Sequence, residues 1–104
     1  MLPVKISDIK PGMRELTLVG TIASLGEIRD VTTRFGPARV APAVLQDETG
    51  SIRLNLWRLQ IEAVRLGDRV ELVNAFARKF GGLVELNIGK DGRIVVLERG
   101  RKGT

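Results

Sequence analysis

The chain has 104 residues, 43% of them hydrophobic and 28% charged, with a net charge of +5. Those values belong to one globular domain with a single core, and they exclude intrinsic disorder or a fibrous repeat for most of the length. Cysteine and histidine are both absent, which removes disulfides, Cys/His zinc sites, thiol catalysis and any histidine base.

Along the chain, strand signals dominate. Lys10-Pro11-Gly12 marks a turn. Met13 to Ile28 then reads as a long first strand, in which Gly20 predicts a bend or a close backbone approach. Glu27 to Pro37 mixes charges without a sustained period, as a loop or the splayed tip of a hairpin would. Ala38 to Gln46 resumes as a strand, and Pro42 within it predicts an edge or a bulge. Asp47-Glu48-Thr49-Gly50 suits a type I turn, because Asp favours its start and Gly its end.

Ser51 to Arg58 is the clearest strand. Ile52, Leu54 and Leu56 take one face; Arg53, Asn55 and Trp57 take the other. Leu59, Ala63 and Leu66 fall at helical spacing, with Ile61 and Val64 beside them, so a short helix is expected over 59–66, capped by Gly67. Arg69 to Phe80 is the next strand, and Gly81-Gly82 is a hairpin turn. Leu83 to Ile88 alternates again, with Val84, Leu86 and Ile88 opposite Glu85 and Asn87. Arg93 to Glu98 adds a final short strand. This order predicts an all-β fold, a five-stranded Greek-key barrel of the OB type with a short helix between its third and fourth strands. The barrel is expected to occupy residues 1–98 as one domain, and 99–104 to form a short basic flexible tail.

The basic charge is concentrated at the end. Residues 1–98 hold fourteen Lys and Arg against twelve Asp and Glu, a balance of +2, and Arg99, Arg101 and Lys102 supply the remaining three. A basic chain suits a polyanionic partner. Arg outnumbers Lys twelve to five, and Arg offers planar stacking and forked hydrogen bonds to phosphate.

The four aromatics, Phe35, Trp57, Phe76 and Phe80, locate the candidate site. Large aromatics in a small barrel ordinarily fill the core. Trp57, however, shares the parity of Arg53 and Asn55, while the opposite parity is wholly aliphatic and must be the core. It escapes the outer face only if the strand ends before it. In the next strand Val70 and Leu72 share one parity and Val73, Ala75 and Ala77 the other. A β-bulge near 72–73 accounts for the change of phase and puts Asn74, Phe76 and Arg78 outside; without it, Phe76 joins the core. Phe80 follows Lys79 at a hairpin tip. Phe35 lies in the basic loop, either as a cap on the barrel end or beside a ligand.

The outward reading gives an aromatic row of Trp57, Phe76 and Phe80 flanked by Arg53, Arg78 and Lys79. Bases stack on such a row without sequence preference while basic side chains follow the phosphates. Asn55, Asn74 and Asn87 are candidates for hydrogen bonds to bases or backbone, and Arg29, Arg34 and Arg39, with Phe35, for loop contacts. Duplex DNA hides its base faces, so the expected partner is single-stranded DNA, with RNA as the alternative.

One ordered set of segments carries a family resemblance: Asp47-Glu48-Thr49-Gly50, Leu54-Asn55-Leu56-Trp57, Gly67-Asp68-Arg69-Val70, Asn74-Ala75-Phe76, Phe80-Gly81-Gly82 and Val84-Glu85-Leu86-Asn87. From about Ser7 to Gly89 the chain resembles the crenarchaeal single-stranded DNA-binding proteins, one-OB-fold relatives of replication protein A. The resemblance implies that Trp57, Phe76 and Phe80 stack on bases in replication and repair. The family often has tryptophan at the position of Phe76, which offers more stacking area. Members also often carry a long Gly/Arg-rich tail ending in acidic residues for partner proteins, where this chain has a short basic stub.

Three other functions compete. An RNA or transfer-RNA module would use the same row. A subunit docking onto a protein would use the aromatics as hot spots. A nuclease would need clustered carboxylates for a metal; Asp47 and Glu48 are adjacent, but the turn uses Asp47, so no enzyme, no cofactor and no metal is expected. No apolar run reaches the roughly 18 residues of a membrane span, and MLPVKISDIK lacks a signal-peptide pattern. The expected location is cytoplasmic, with the nucleoid.

Overall fold

The computed structural model describes residues 3–100. After a single 3-10 turn at Ile6–Asp8, the elements are β1 (Leu16–Leu25), β2 (Arg29–Thr33), β3 (Gly36–Asp47), β4 (Gly50–Trp57), α1 (Gln60–Ala63), β5 (Arg69–Phe80) and β6 (Leu83–Glu98). The strands order as β1-β5-β6-β4-β3-β2, and an added β1–β3 pairing closes five of them into a barrel. All pairings are antiparallel except β4–β6. This is the predicted OB architecture with one strand more.

Closure happens at one residue. Thr21 pairs with Arg69 of β5 and with Gln46 of β3, so β1 hands over from one neighbour to the other there. Gly20 allows it: a Cβ at this position would meet Leu45 Cγ at 2.8 Å and the Gln46 carbonyl at 2.9 Å. The close approach predicted for this glycine is therefore its role. Pro42 sits next to Ala43, the last β3 residue in register with β1, where a missing N–H disturbs the least ladder.

The core follows the alternation. Leu54 and Leu56 of β4, Val70 and Leu72 of β5 and Leu86 of β6 are fully buried. Burying a Leu or Val side chain contributes about 1.5–3 kcal/mol, so this aliphatic face fixes the register of every strand it touches.

Asp47 caps the β3–β4 turn. Its Oδ1 accepts from the Thr49 amide at 2.7 Å, the Thr49 hydroxyl at 2.6 Å and the Gly50 amide at 3.2 Å, and its Oδ2 from the Ile6 amide at 2.9 Å. A second carboxylate, this one buried, ties down the opposite end of the described chain. Asp68, with no exposed surface, accepts from the Arg65 amide at 2.8 Å, the Arg99 guanidinium at 2.8 Å and the Gly100 amide at 2.7 Å. For both groups burial pushes the pKa up, but the donated hydrogen bonds, joined at Asp68 by the Arg99 charge, outweigh it and hold the carboxyl below its usual range.

Four expectations need correction. The 27–37 segment is an ordered hairpin arm: β2 pairs with β3 from Arg29↔Val40 to Thr33↔Gly36. Its alternation was hidden because both faces are mostly exposed and no apolar stripe marks them. The helix over 59–66 shrinks to the single turn Gln60–Ala63, since Val64 is extended at φ −129°, ψ 157°. Ile61 and Val64 pack on the core, while Leu59 and Leu66 stay exposed. The two short last strands are one strand, β6. Finally, Arg99 and Gly100, assigned by sequence to a flexible tail, are bound to Asp68; residues 101–104 lie outside the described part.

Candidate nucleic-acid interface

The outer face of β4 and β6 forms the floor of a cleft of about 350 Å³. One wall is the β2–β3 hairpin, which contributes Arg29, Val31, Thr33 and Val40; the other is the β5–β6 hairpin, which contributes Arg78 and Phe80. Between them lie Arg53, Asn55, Trp57 and Glu85. A larger concavity of about 600 Å³ lies beside Val4, Thr21 and Gln46, but no aromatic side chain lines it.

Strand parity delivers the floor. Trp57 stays on the outer face, half-buried, because β4 runs through it and pairs Trp57 with Val40. Its indole Nε1 donates to Asn87 Oδ1 at 2.9 Å. Asn87 is 4% exposed, and its Nδ2 is the only buried side-chain nitrogen or oxygen without a partner among the described residues. The bond to the indole fixes the amide orientation, since the reverse would set two donors face to face.

Phe76 owes its position to the bulge. The β5–β6 register shifts between Val73 and Ala75, and Asn74 between them stands at φ +59°. The phase change falls at 74 rather than 72–73, so Val73 is half-buried on the outer side and not in the core. The identity of residue 74 explains the place: asparagine tolerates the left-handed region better than valine. Beyond it, Ala75 and Ala77 turn inward, and Phe76 faces outward opposite Asn87. Asn87 thus lies between Trp57 on β4 and Phe76 on β5. Phe76 does not share the main cleft. Together with Asn74 it lines an adjoining concavity that also takes in Arg14, Glu15 and Lys90.

Gly81 and Gly82, at φ +59° and +85°, make the tight turn that leaves Phe80 66% exposed beside the cleft. Phe35, 84% exposed at the tip of the other hairpin, caps nothing.

Not every candidate converges on the cleft. Arg29, Arg53 and Arg78 line it. Arg34 and Phe35 stand at the β2–β3 tip. Arg39 pairs with Asp30 at 3.6 Å and faces a groove behind the hairpin, with Arg58 and Leu59. Lys79 has the opposite parity to Arg78 and Phe80. The residues that sequence reasoning left out are Val31, Thr32, Thr33 and Val40 on the wall and Glu85 on the floor. Only Glu85 had a legible signal, its shared parity with Asn87. Among the described residues no group of three or more acidic side chains could hold a metal ion, and no helix is long and apolar enough to cross a membrane.

Comparison with known proteins agrees with this fold. Residues 9–96 match the family described as single-stranded DNA binding protein Ssb-like, OB fold. The chain belongs to this family. Among Ssb-like relatives, the single-stranded DNA binding protein Ssb of Saccharolobus solfataricus is 30% identical over 90 residues, covering 86% of this chain and 61% of that protein. Replication factor A of Methanothermobacter thermautotrophicus is 38% identical over 99 residues, covering 91% of this chain and 12% of that protein. The chain therefore spans less than two thirds of either relative's length. The solution structure of a replication factor A related protein from Methanobacterium thermoautotrophicum superimposes with a TM-score of 0.76 at 26% identity, over 92% of this chain and 91% of that one. The Ssb-like likeness extends beyond one archaeal lineage. These relatives are named for DNA binding and replication, not for an enzymatic activity.

Proposed function

We propose that this chain binds single-stranded DNA with little sequence preference and covers exposed strands during replication and repair. Bases stack on Trp57 and Phe80 in the cleft and on Phe76 next to it, while Arg29 and Arg78 meet phosphates from the two walls. The observation that carries this reading is the position of Trp57: half-buried on the outer face, pinned by Asn87, at the bottom of a cleft walled by arginines. An aromatic face so placed accepts a base and not a base pair, and each stack is worth about 1–3 kcal/mol. The cleft also lies where OB barrels take oligonucleotides, on the strand face between two projecting connections.

Trp57 is the only tryptophan, so its fluorescence tests the reading directly. Titration with a short thymidine oligonucleotide is expected to quench it saturably, more weakly as salt rises, and a duplex of the same length to quench it far less. No quenching by the single strand at low salt overturns the proposal. Tighter binding of a matched RNA strand would move the substrate from DNA to RNA.

A further inference from the structure

The cleft contains one group that a surface built only to attract phosphate does not need. Glu85, 4% exposed, is the sole acid among the residues that line it. Its Oε2 lies 3.2 Å from Arg53 Nε, and its Oε1 accepts from Asn55 Nδ2 at 2.9 Å. Arg53 Nε also reaches Asn55 Oδ1 at 3.4 Å, so the three side chains close a ring. Across the β5–β6 ladder Glu85 is in register with Arg78.

Stability does not explain the carboxylate. A buried ion pair is often no better for stability than apolar side chains of similar volume, and the opposite face of β6 already fills the core with Leu86. Its effects are electrostatic and geometric. A negative charge on the floor repels phosphate from the centre of the cleft. It also occupies the Nε edge of Arg53, leaving the outer N–H groups and the guanidinium face, two residues along the same face from Asn55 and four from Trp57. Arg29 and Arg78 form no ion pair among the described residues.

We propose that Glu85 is a positioning residue that sorts the bound strand: it withholds Arg53 from phosphate, presents that guanidinium to bases beside Trp57, and keeps the sugar-phosphate chain on the rim near Arg29 and Arg78. This inference rests on the reading of the cleft as a single-strand site and adds the orientation of the strand within it.

Salt dependence separates the two kinds of arginine. For single strands the log–log slope of affinity against salt changes by about 0.7 for each phosphate neutralised. Binding of a thymidine oligonucleotide, and of a strand of the same length made of abasic sites, is measured across salt for the wild type, Arg78→Gln, Arg53→Gln and Glu85→Gln, with a thermal melt of each. Arg78→Gln is expected to flatten the slope by about 0.7. Arg53→Gln weakens thymidine binding with the slope unmoved. Glu85→Gln frees Arg53, steepens the slope by about 0.7 and raises affinity for the abasic strand several-fold. A slope flattened by Arg53→Gln overturns the inference, and that variant leaves the buried carboxylate in place should Glu85→Gln fail to fold. An unchanged slope and an unchanged thymidine-to-abasic ratio in a folded Glu85→Gln overturn it equally. A wild type that binds no thymidine strand overturns the reading of the cleft itself, and this inference with it.

Discussion

The indole N–H of Trp57 is bonded to Asn87 Oδ1 at 2.9 Å, which ties an outer-face aromatic on β4 to a buried amide on β6. The ring is thereby held before any ligand arrives, and a preorganised surface binds with less ordering cost than a free one. Trp57→Ala is expected to weaken single-strand binding by about 1–3 kcal/mol with the barrel still folded. Asn87→Ala should weaken it less, and should add nothing once Trp57 is gone. A double-mutant cycle read by titration measures that coupling; additive losses would mean that the amide does not act through the indole.

Phe76 and Phe80 differ in burial and so in their expected behaviour. Phe80 projects from a hairpin tip, and Phe80→Ala should lower affinity by about 1 kcal/mol or more with an unchanged melting temperature. Phe76 is half-buried against Asn87, so Phe76→Ala should lower both affinity and melting temperature. Phe76→Trp should raise affinity by enlarging the stacking face. Melts and titrations of the three variants, done in parallel, check the contrast.

The bulge rests on Asn74. Its left-handed backbone costs a branched residue about 1–2 kcal/mol. Asn74→Val is expected to lose roughly that in a denaturant melt and to weaken binding by misplacing Phe76. Asn74→Gly should keep the stability, since glycine adopts this conformation freely. Equal stabilities for the two variants would show that the bulge is set elsewhere.

Acid should loosen the anchors of both chain termini together, Ile6 on Asp47 and Gly100 on Asp68. Asp47 and Asp68 have carboxyl pKa values lowered by folding, so the native state binds fewer protons than the unfolded one. Their stabilisation is fully present above the unfolded value of about 4 and is lost as pH falls through the lower folded values. Urea melts from neutral pH downward are expected to show stability falling below about pH 4. Asp68→Asn should flatten that fall and cost about 1.5–3 kcal/mol at neutral pH, the usual worth of hydrogen bonds to a charged group.

Legibility followed burial. On β4, one wholly aliphatic parity left no choice for Trp57, and the outer face could be read residue by residue. The same logic found the bulge in β5 from Val70, Leu72, Ala75 and Ala77, but misplaced it slightly because Val73 is apolar without being core. The β2 arm was unreadable, since a strand exposed on both faces needs no alternation, and with it went Val31 and Thr33 of the cleft wall. The 59–66 segment shows the reverse error. Its leucines fall at helical spacing, yet only Ile61 and Val64 find a core to pack on, so one turn suffices. Arg39 and Lys79 were placed by proximity in sequence, where parity would have set them on the far sides of their hairpins.

The floor of the cleft is woven into the closed barrel, strand beside strand, whereas each wall is a hairpin held at its base alone. Purines and pyrimidines differ in width. Phe80 rides on one of those walls, whereas Trp57 lies on the closed floor. On the single-strand reading, tolerance of any sequence would then draw on mechanics as much as on chemistry: one stacking face set in a closed bed, another carried on a hairpin arm.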